Sequence, residues 1–223
     1  VMEVLPHDRT AFTQGLELAG GILYEGTGQY ESSVIRSVDQ RTGRTLAEMP
    51  LAPEEFGEGI TVAGDRIWQL TWKNEVALVR ERESLREVRR VGYEGEGWGL
   101  CHDGQRMVMS DGSDELTFRD PVTFDETGSV EVTLDERPVT ELNELECVGG
   151  EVFANVWGQD RIVRIDPGSG QVTGVVDASG LLPPEDAAEA DVLNGIAAVD
   201  GTDEFLLTGK YWPHLYRVRF VPA

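Results

Sequence analysis

A polar–Gly–apolar triplet, or a close variant, recurs five times in this chain: Gln14-Gly15-Leu16, Glu58-Gly59-Ile60, Trp98-Gly99-Leu100, Asn143-Glu144-Leu145 and Asn194-Gly195-Ile196. The middle positions lie 44, 40, 45 and 51 residues apart, so five units of about 45 residues fill the 223-residue chain. A turn rich in Gly or Asp follows each triplet, as in Gly64-Asp65 and Gly149-Gly150, and then a short apolar strand such as Ile67-Trp68-Gln69-Leu70 or Val152-Phe153-Ala154. Thirteen residues beyond each middle position stand Gly28, Trp72, Gly112, Trp157 and Thr208. A third strand comes next (Ser33 to Val38, Glu75 to Val79, Glu115 to Arg119, Arg161 to Ile165, Leu215 to Val218), and a more polar fourth leads to the next triplet. Four short antiparallel strands per repeat of roughly 40–50 residues describe a propeller blade, in which radial packing covers both faces of each sheet.

The expected fold is therefore all-β, a single domain over residues 1–223. It is a five-bladed β-propeller of four-stranded antiparallel blades. Stacked sandwiches or a β-helix also use many short strands, but neither requires a constant offset of 13. The fifth unit ends near Phe220 without a fourth strand, and Met2-Glu3-Val4-Leu5 at the other terminus is placed to supply it. The longest interval holds Leu181 to Asp191, whose prolines, early acids and alanines predict one short inserted helix before blade five.

Charge narrows the function. Forty-one acids against 19 bases leave a net charge of −22, and only Lys73 and Lys210 are lysines. Such a surface repels phosphate backbones and anionic lipid, which argues against nucleic-acid or membrane partners. No apolar run reaches the roughly 18 residues of a membrane-crossing helix. Cys101 and Cys147 lack zinc spacing, and following the triplets of adjacent units they suit either a disulfide or two buried thiols. His7, His102 and His214 are too scattered for a zinc site, while the acidic turns leave room for a structural calcium. The chain starts at Val1, as it would after loss of an export signal.

The triplets begin the innermost strands, so Gln14, Glu58, Trp98, Asn143 and Asn194 gather at one mouth of the axial channel. Positions at or just past the constant offset add Trp72, Trp157 and Lys210. Glu58 lies in Phe56-Gly57-Glu58-Gly59, a carboxylate between glycines and beside an aromatic ring. Each residue also has a structural reading: polar groups at a propeller mouth bond neighbouring blades, and tryptophans fill the gaps between sheets. A nucleophile elbow and a dinucleotide fingerprint are both missing, because Gly95-Glu96-Gly97-Trp98-Gly99 has no βαβ unit around it.

A series of blocks carries a resemblance across nearly the whole length. They are Pro6-His7-Asp8-Arg9-Thr10-Ala11-Phe12-Thr13-Gln14-Gly15-Leu16, Phe56-Gly57-Glu58-Gly59, Leu70-Thr71-Trp72-Lys73 and Gly95-Glu96-Gly97-Trp98-Gly99-Leu100. Met109-Ser110-Asp111-Gly112-Ser113, Asn143-Glu144-Leu145-Glu146, Ala154-Asn155-Val156-Trp157, Leu193-Asn194-Gly195-Ile196 and Thr208-Gly209-Lys210-Tyr211-Trp212-Pro213 complete the series. In these the chain resembles the glutaminyl cyclases of the plant and bacterial type, the glutaminyl-peptide cyclotransferases, which are five-bladed propellers.

The resemblance implies cyclisation of an N-terminal glutamine to pyroglutamate with release of ammonia. It maps the pocket onto Phe12, Gln14, Phe56, Glu58, Trp72, Trp98, Asn143, Trp157 and Lys210. Glu58 is then the proton shuttle, and Asn143 and Lys210 meet the charge on the γ-oxygen. Phe12, Gln14, Phe56, Trp72, Trp98 and Trp157 bind the substrate. No cofactor is expected, the partners are peptides or proteins with N-terminal glutamine, and the chain is expected to be an exported monomer. The alternatives are a calcium-dependent lactonase-like hydrolase using Glu58, Asn143 and Asn194, and a propeller that binds peptides without turning them over.

Overall fold

The computed structural model describes residues 1–222. Five four-stranded antiparallel sheets form a ring, and a two-stranded hairpin is added between the third and the fourth. Blade one holds Thr13–Ala19, Ile22–Thr27, Val34–Asp39 and Arg44–Pro50; blade two holds Gly57–Ala63, Arg66–Thr71, Val76–Glu81 and Glu87–Gly92. Blade three holds Leu100–His102, Met107–Met109, Glu115–Arg119 and Glu126–Glu131, and blade four Leu142–Val148, Glu151–Val156, Arg161–Ile165 and Val172–Asp177. Blade five joins Leu193–Ala198, Glu204–Gly209 and His214–Arg219 to the N-terminal strand Glu3–Pro6, with Glu3 opposite Arg217 and Pro6 opposite His214.

The core is divided into five wedges, one between each pair of neighbouring blades. Ile35 and Tyr24 of blade one meet Ile60 and Ile67 of blade two, and Leu5 and Leu215 of blade five meet Leu16 and Leu23 of blade one. The first three strands of each blade carry this burial; the fourth is mostly exposed, which is why it reads as polar. At the axis the innermost strands approach so closely that a Cβ on Gly15 would lie 2.5 Å from Ile60 N, and one on Gly59 2.6 Å from Trp98 O. Repetition of glycine in the triplet is thus a packing requirement. Blade four breaks the pattern with Glu144, whose buried carboxylate accepts Leu16 N at 3.1 Å and Ile196 N at 2.7 Å, bonding to blades one and five.

Two features differ from the sequence reading. The inserted helix before blade five is absent: residues 181–190 run as successive turns, with i→i+3 bonds from Asp186 N to Pro183 O and Ala187 N to Pro184 O. Helix nucleation is costly in so short a segment. Tertiary bonds hold it instead, Arg9 to Asp186 at 2.7 Å and Trp212 Nε1 to Asp191 O at 2.8 Å. The second feature is the hairpin of Thr133–Leu134 and Arg137–Pro138, which the repeat gave no reason to expect. It lays Val132, Leu134 and Val139 on the core between blades three and four.

Cys101 and Cys147 form a disulfide across a sequence separation of 46 residues, joining the innermost strands of blades three and four. Closing a loop of that length constrains the unfolded chain by about 2–4 kcal/mol. Replacing both cysteines with alanine should lower Tm by roughly 5–15 °C. Activity at 25 °C should persist, because neither sulfur belongs to the site. A Tm unchanged in calorimetry would assign ring integrity to blade packing alone.

Candidate active site

The antiparallel register slips at the start of the innermost strand in four blades: between Thr13 and Gly15, Gly57 and Ile60, Leu142 and Leu145, and Leu193 and Ile196. The residues left without a strand partner include Gln14, Glu58, Asn143 and Asn194. A bulge re-aims the side chain it frees, and here it turns a polar residue from each of four blades towards one mouth.

Glu58 is buried and accepts a 2.8 Å hydrogen bond from Gln14 Nε2. Asn194 Nδ2 donates to Gln14 Oε1 at 3.2 Å and to Thr13 O at 3.0 Å, which fixes the Gln14 amide with its NH2 towards Glu58. Burial holds the Glu58 carboxyl well above the usual carboxylate range; Lys210 and the Gln14 N–H pull the other way, and Glu96 adds a further push upward. Lys210 is also buried, and burial lowers its ammonium below the ordinary lysine value against the pull of Glu58 and Asp191. Its Nζ lies 4.5 Å from the Phe12 ring centroid and makes no ion pair within 4.0 Å among the described residues. The two charges therefore influence each other without being neutralised by contact.

The turn carrying Lys210 is held from several sides. Tyr211 stands at φ 62°, an uncommon conformation for a tyrosine, and its N–H donates to Ala11 O at 2.7 Å. Its ring packs on Phe12 with centroids 5.2 Å apart. Edge-to-face contacts then run from Phe12 to Phe56 at 6.0 Å and from Phe56 to Trp72 at 5.6 Å, with Tyr30 against Phe56 at 5.4 Å. Trp98 and Trp157 form a second pair, 6.4 Å apart. The constant offset now has a cause. Blades two and four place Trp72 and Trp157 there, whereas Gly28 and Gly112 leave room for Phe56 and Trp98, a Cβ on Gly112 lying 2.7 Å from the Trp98 ring.

The five tryptophans divide by burial. Trp68 and Trp212 are core residues at 2% and 3% exposure, Trp68 stacked on Phe124, whereas Trp72 and Trp98 are half-buried and Trp157 is 46% exposed. Asn143 is buried beside them, its backbone carbonyl bonded to Ser110 Oγ at 2.7 Å and its side-chain Oδ1 without a partner. Buried polar atoms are rarely left unpaired, so an unpaired one at a mouth marks a place for a ligand group.

Other residues of the sequence blocks are supports. His7 donates from both ring nitrogens, at 2.7 Å to Trp212 O and 3.0 Å to Glu25 Oε1, and Glu25 also accepts from Thr13 Oγ1 and from Arg36. Burial opposes the charge on His7, but Glu25 outweighs it and the imidazole sits above its ordinary value. Glu25 is in turn held down to about 2 by His7 and Arg36 against its own burial. This ionic cluster ties the N-terminal segment to blade one and to the Lys210–Trp212 turn. Sequence reasoning gave Glu96 no role at the site and gave Asn194 one only as a mouth residue and a ligand in the lactonase alternative, not as the group that orients Gln14. For Glu96 the signal was its place in the Gly95–Gly99 block.

The mouth of the propeller thus holds the buried carboxyl of Glu58 and the buried ammonium of Lys210 beside a run of aromatic rings. The profile described as glutamine cyclotransferase matches residues 1–220. A glutaminyl-peptide cyclotransferase of Arabidopsis thaliana is 39% identical over 228 residues, covering 100% of this chain and 71% of that protein. The crystal structure of Myxococcus xanthus glutaminyl cyclase superposes with a TM-score of 0.92 at 37% identity, over 98% of this chain and 94% of the other. Hydrazine synthase of Kuenenia stuttgartiensis shares the fold alone, with a TM-score of 0.53 at 13% identity over 90% of this chain and 56% of that one. The chain belongs to the glutamine cyclotransferase family.

Proposed function

We propose that this chain cyclises N-terminal glutamine by a proton shuttle centred on Glu58. It is a glutaminyl-peptide cyclotransferase, an enzyme that acts on peptides and proteins with N-terminal glutamine. The observation that carries the mechanism is a buried carboxylate, oriented by Gln14, near a buried ammonium and inside an aromatic slot.

The substrate enters with an ammonium whose ordinary pKa is roughly 7.7–8.0. A raised Glu58 is a closer match for that proton than a solvent carboxylate, so transfer from the amine costs less. The neutral amine attacks the γ-carboxamide carbon, and a C–N bond forms as the carbonyl oxygen takes up negative charge. Lys210 and Asn143 meet that oxygen. Glu58 gives its proton to the amide nitrogen and takes the second proton of the attacking nitrogen, the original C–N bond breaks as the carbonyl re-forms, and ammonia leaves with the neutral lactam closed; Glu58 then loses that proton to ammonia or solvent. Phe12, Phe56, Trp72, Trp98 and Trp157 line the slot and hold the side chain folded back on its own amine, which serves a reaction that is already intramolecular. Gln14 holds Glu58 and offers the α-amine a neighbouring acceptor.

The direct test is mass spectrometry of a short glutamine-initiated peptide: loss of one ammonia, faster than in buffer. Persistence of the open peptide with several sequences would reject the reading. Every step uses side chains alone, so we propose that no metal is required for turnover. Dialysis against EDTA and dipicolinate should leave kcat within twofold of the untreated enzyme. Loss reversed by zinc would overturn that, while a fall in Tm reversed by calcium would place a structural ion on an acidic turn. We further propose a monomer acting in an oxidising, extracytoplasmic compartment, a setting the Cys101–Cys147 disulfide supports.

A further inference from the structure

Trp72 and Trp98 come from different blades, yet both indole N–H groups end on one oxygen. Trp72 Nε1 donates to Glu96 Oε2 at 2.7 Å and Trp98 Nε1 to the same atom at 3.1 Å. The other oxygen, Oε1, pairs with Lys73 Nζ at 3.2 Å, and that ammonium also lies 4.0 Å from the Trp72 ring centroid. Glu96 stands in the connection between blades two and three, one residue from Gly97, whose N–H donates to Trp72 O at 3.1 Å. A half-buried indole can rotate about its two side-chain bonds, and a shared acceptor removes that freedom from both rings at once.

We propose that Glu96 is a positioning residue that sets the angle and spacing of the Trp72 and Trp98 rings, and so the width of the slot that receives the glutamine side chain. The proposal rests on the cyclotransferase reading of the site. Glu96 acts through the indoles, whereas Glu58 meets the reacting nitrogens. Its placement also explains why a carboxylate stands between two glycines, Gly95 and Gly97: one oxygen serves two donors while the other is balanced by Lys73. Burial pushes its carboxyl upward, but the two indole donors and Lys73 more than reverse this, so it stays ionised at neutral pH. A misplacement of about 1 Å in a substrate-positioning surface can cost about a hundredfold.

Glu96→Ala and Glu96→Gln can be compared with the parent enzyme in steady-state cyclisation of a glutamine-initiated peptide, with near-UV circular dichroism and Tm recorded for each. Glu96→Ala should raise KM at least tenfold with a smaller change in kcat, and should alter the indole bands. Glu96→Gln keeps an oxygen towards both N–H groups and should stay within threefold of the parent in KM. An unchanged KM and spectrum in Glu96→Ala would overturn the proposal, as would Glu96→Gln being as impaired as Glu96→Ala at equal Tm. The spectra do not depend on turnover. A parent enzyme inert to such peptides would sink the cyclisation reading; altered indole bands in Glu96→Ala would then still support control of the rings by Glu96, and unaltered bands would remove that too.

Discussion

Glu58→Gln should lower kcat/KM by about a thousandfold or more while leaving the fold intact, because the amide keeps the volume of the carboxylate but cannot accept a proton from the amine and return it. The substitution is conservative in the surroundings it meets. Gln14 Nε2 can still donate to the side-chain oxygen at position 58, so the Gln14–Asn194 arrangement persists. Stability should not fall, since a neutral group replaces a buried titratable one. The pH dependence has a definite sign. The shuttle must start deprotonated, so activity falls as pH drops through the Glu58 pKa. Because that pKa is raised, the acid limb lies above the ordinary carboxylate value of 4.5. In Glu58→Gln that limb should vanish from whatever rate is left. Comparable rates for the two purified proteins, or an acid limb surviving the substitution, would remove Glu58 from the mechanism.

Lys210→Met should lower kcat by about a hundred- to a thousandfold, the usual effect of deleting one donor to a developing oxyanion. Two further readouts distinguish this from damage to the fold. Lys210 pulls the Glu58 carboxyl down, so its removal should move the acid limb to higher pH. Its own ammonium is lowered by burial from the ordinary lysine value of 10.5, so loss of activity on the alkaline side, below that value, should also disappear in the variant. Tm should hold or rise, because a buried cation without an ion-pair contact is replaced by an apolar chain of similar length. Lys210→Arg should rescue little: a planar fork does not fit the place of a compact ammonium above the Phe12 ring. Full activity in Lys210→Met would leave stabilisation of the γ-oxygen to the Asn143 NH2, the other side-chain donor assigned to it.

Most of the architecture was legible because a propeller is nearly one-dimensional. Each blade repeats a local program of turn, alternation and length, and the constant offset of 13 reports that program directly. The helix before blade five was misread for the opposite reason. Pro183, Pro184 and the alanines carry helix-start signals, but the path of that segment is decided by Arg9 and Trp212, which reach it from distant parts of the chain. The blocks themselves were mixed. Pro6-His7-Asp8 looks like a functional motif, yet its histidine and aspartate hold Glu25 and Arg36 beneath the site. Asn194 was visible as a triplet residue, but nothing local tells that its amide orients Gln14.

The sequence by itself determined the number of blades and the polar and aromatic residue types of the triplets, and through its resemblance to known cyclotransferases it proposed nine residues for the pocket. Those are properties of residue type and spacing along the chain. Only the tertiary structure decided which of them touch, because contact at the axis requires the ring to close. Gln14 reaches Glu58 across 44 positions and Asn194 across 180. The charge state of the site belongs to the same level: Glu58 is raised and Lys210 lowered by burial, which exists only once five blades have excluded water from between them.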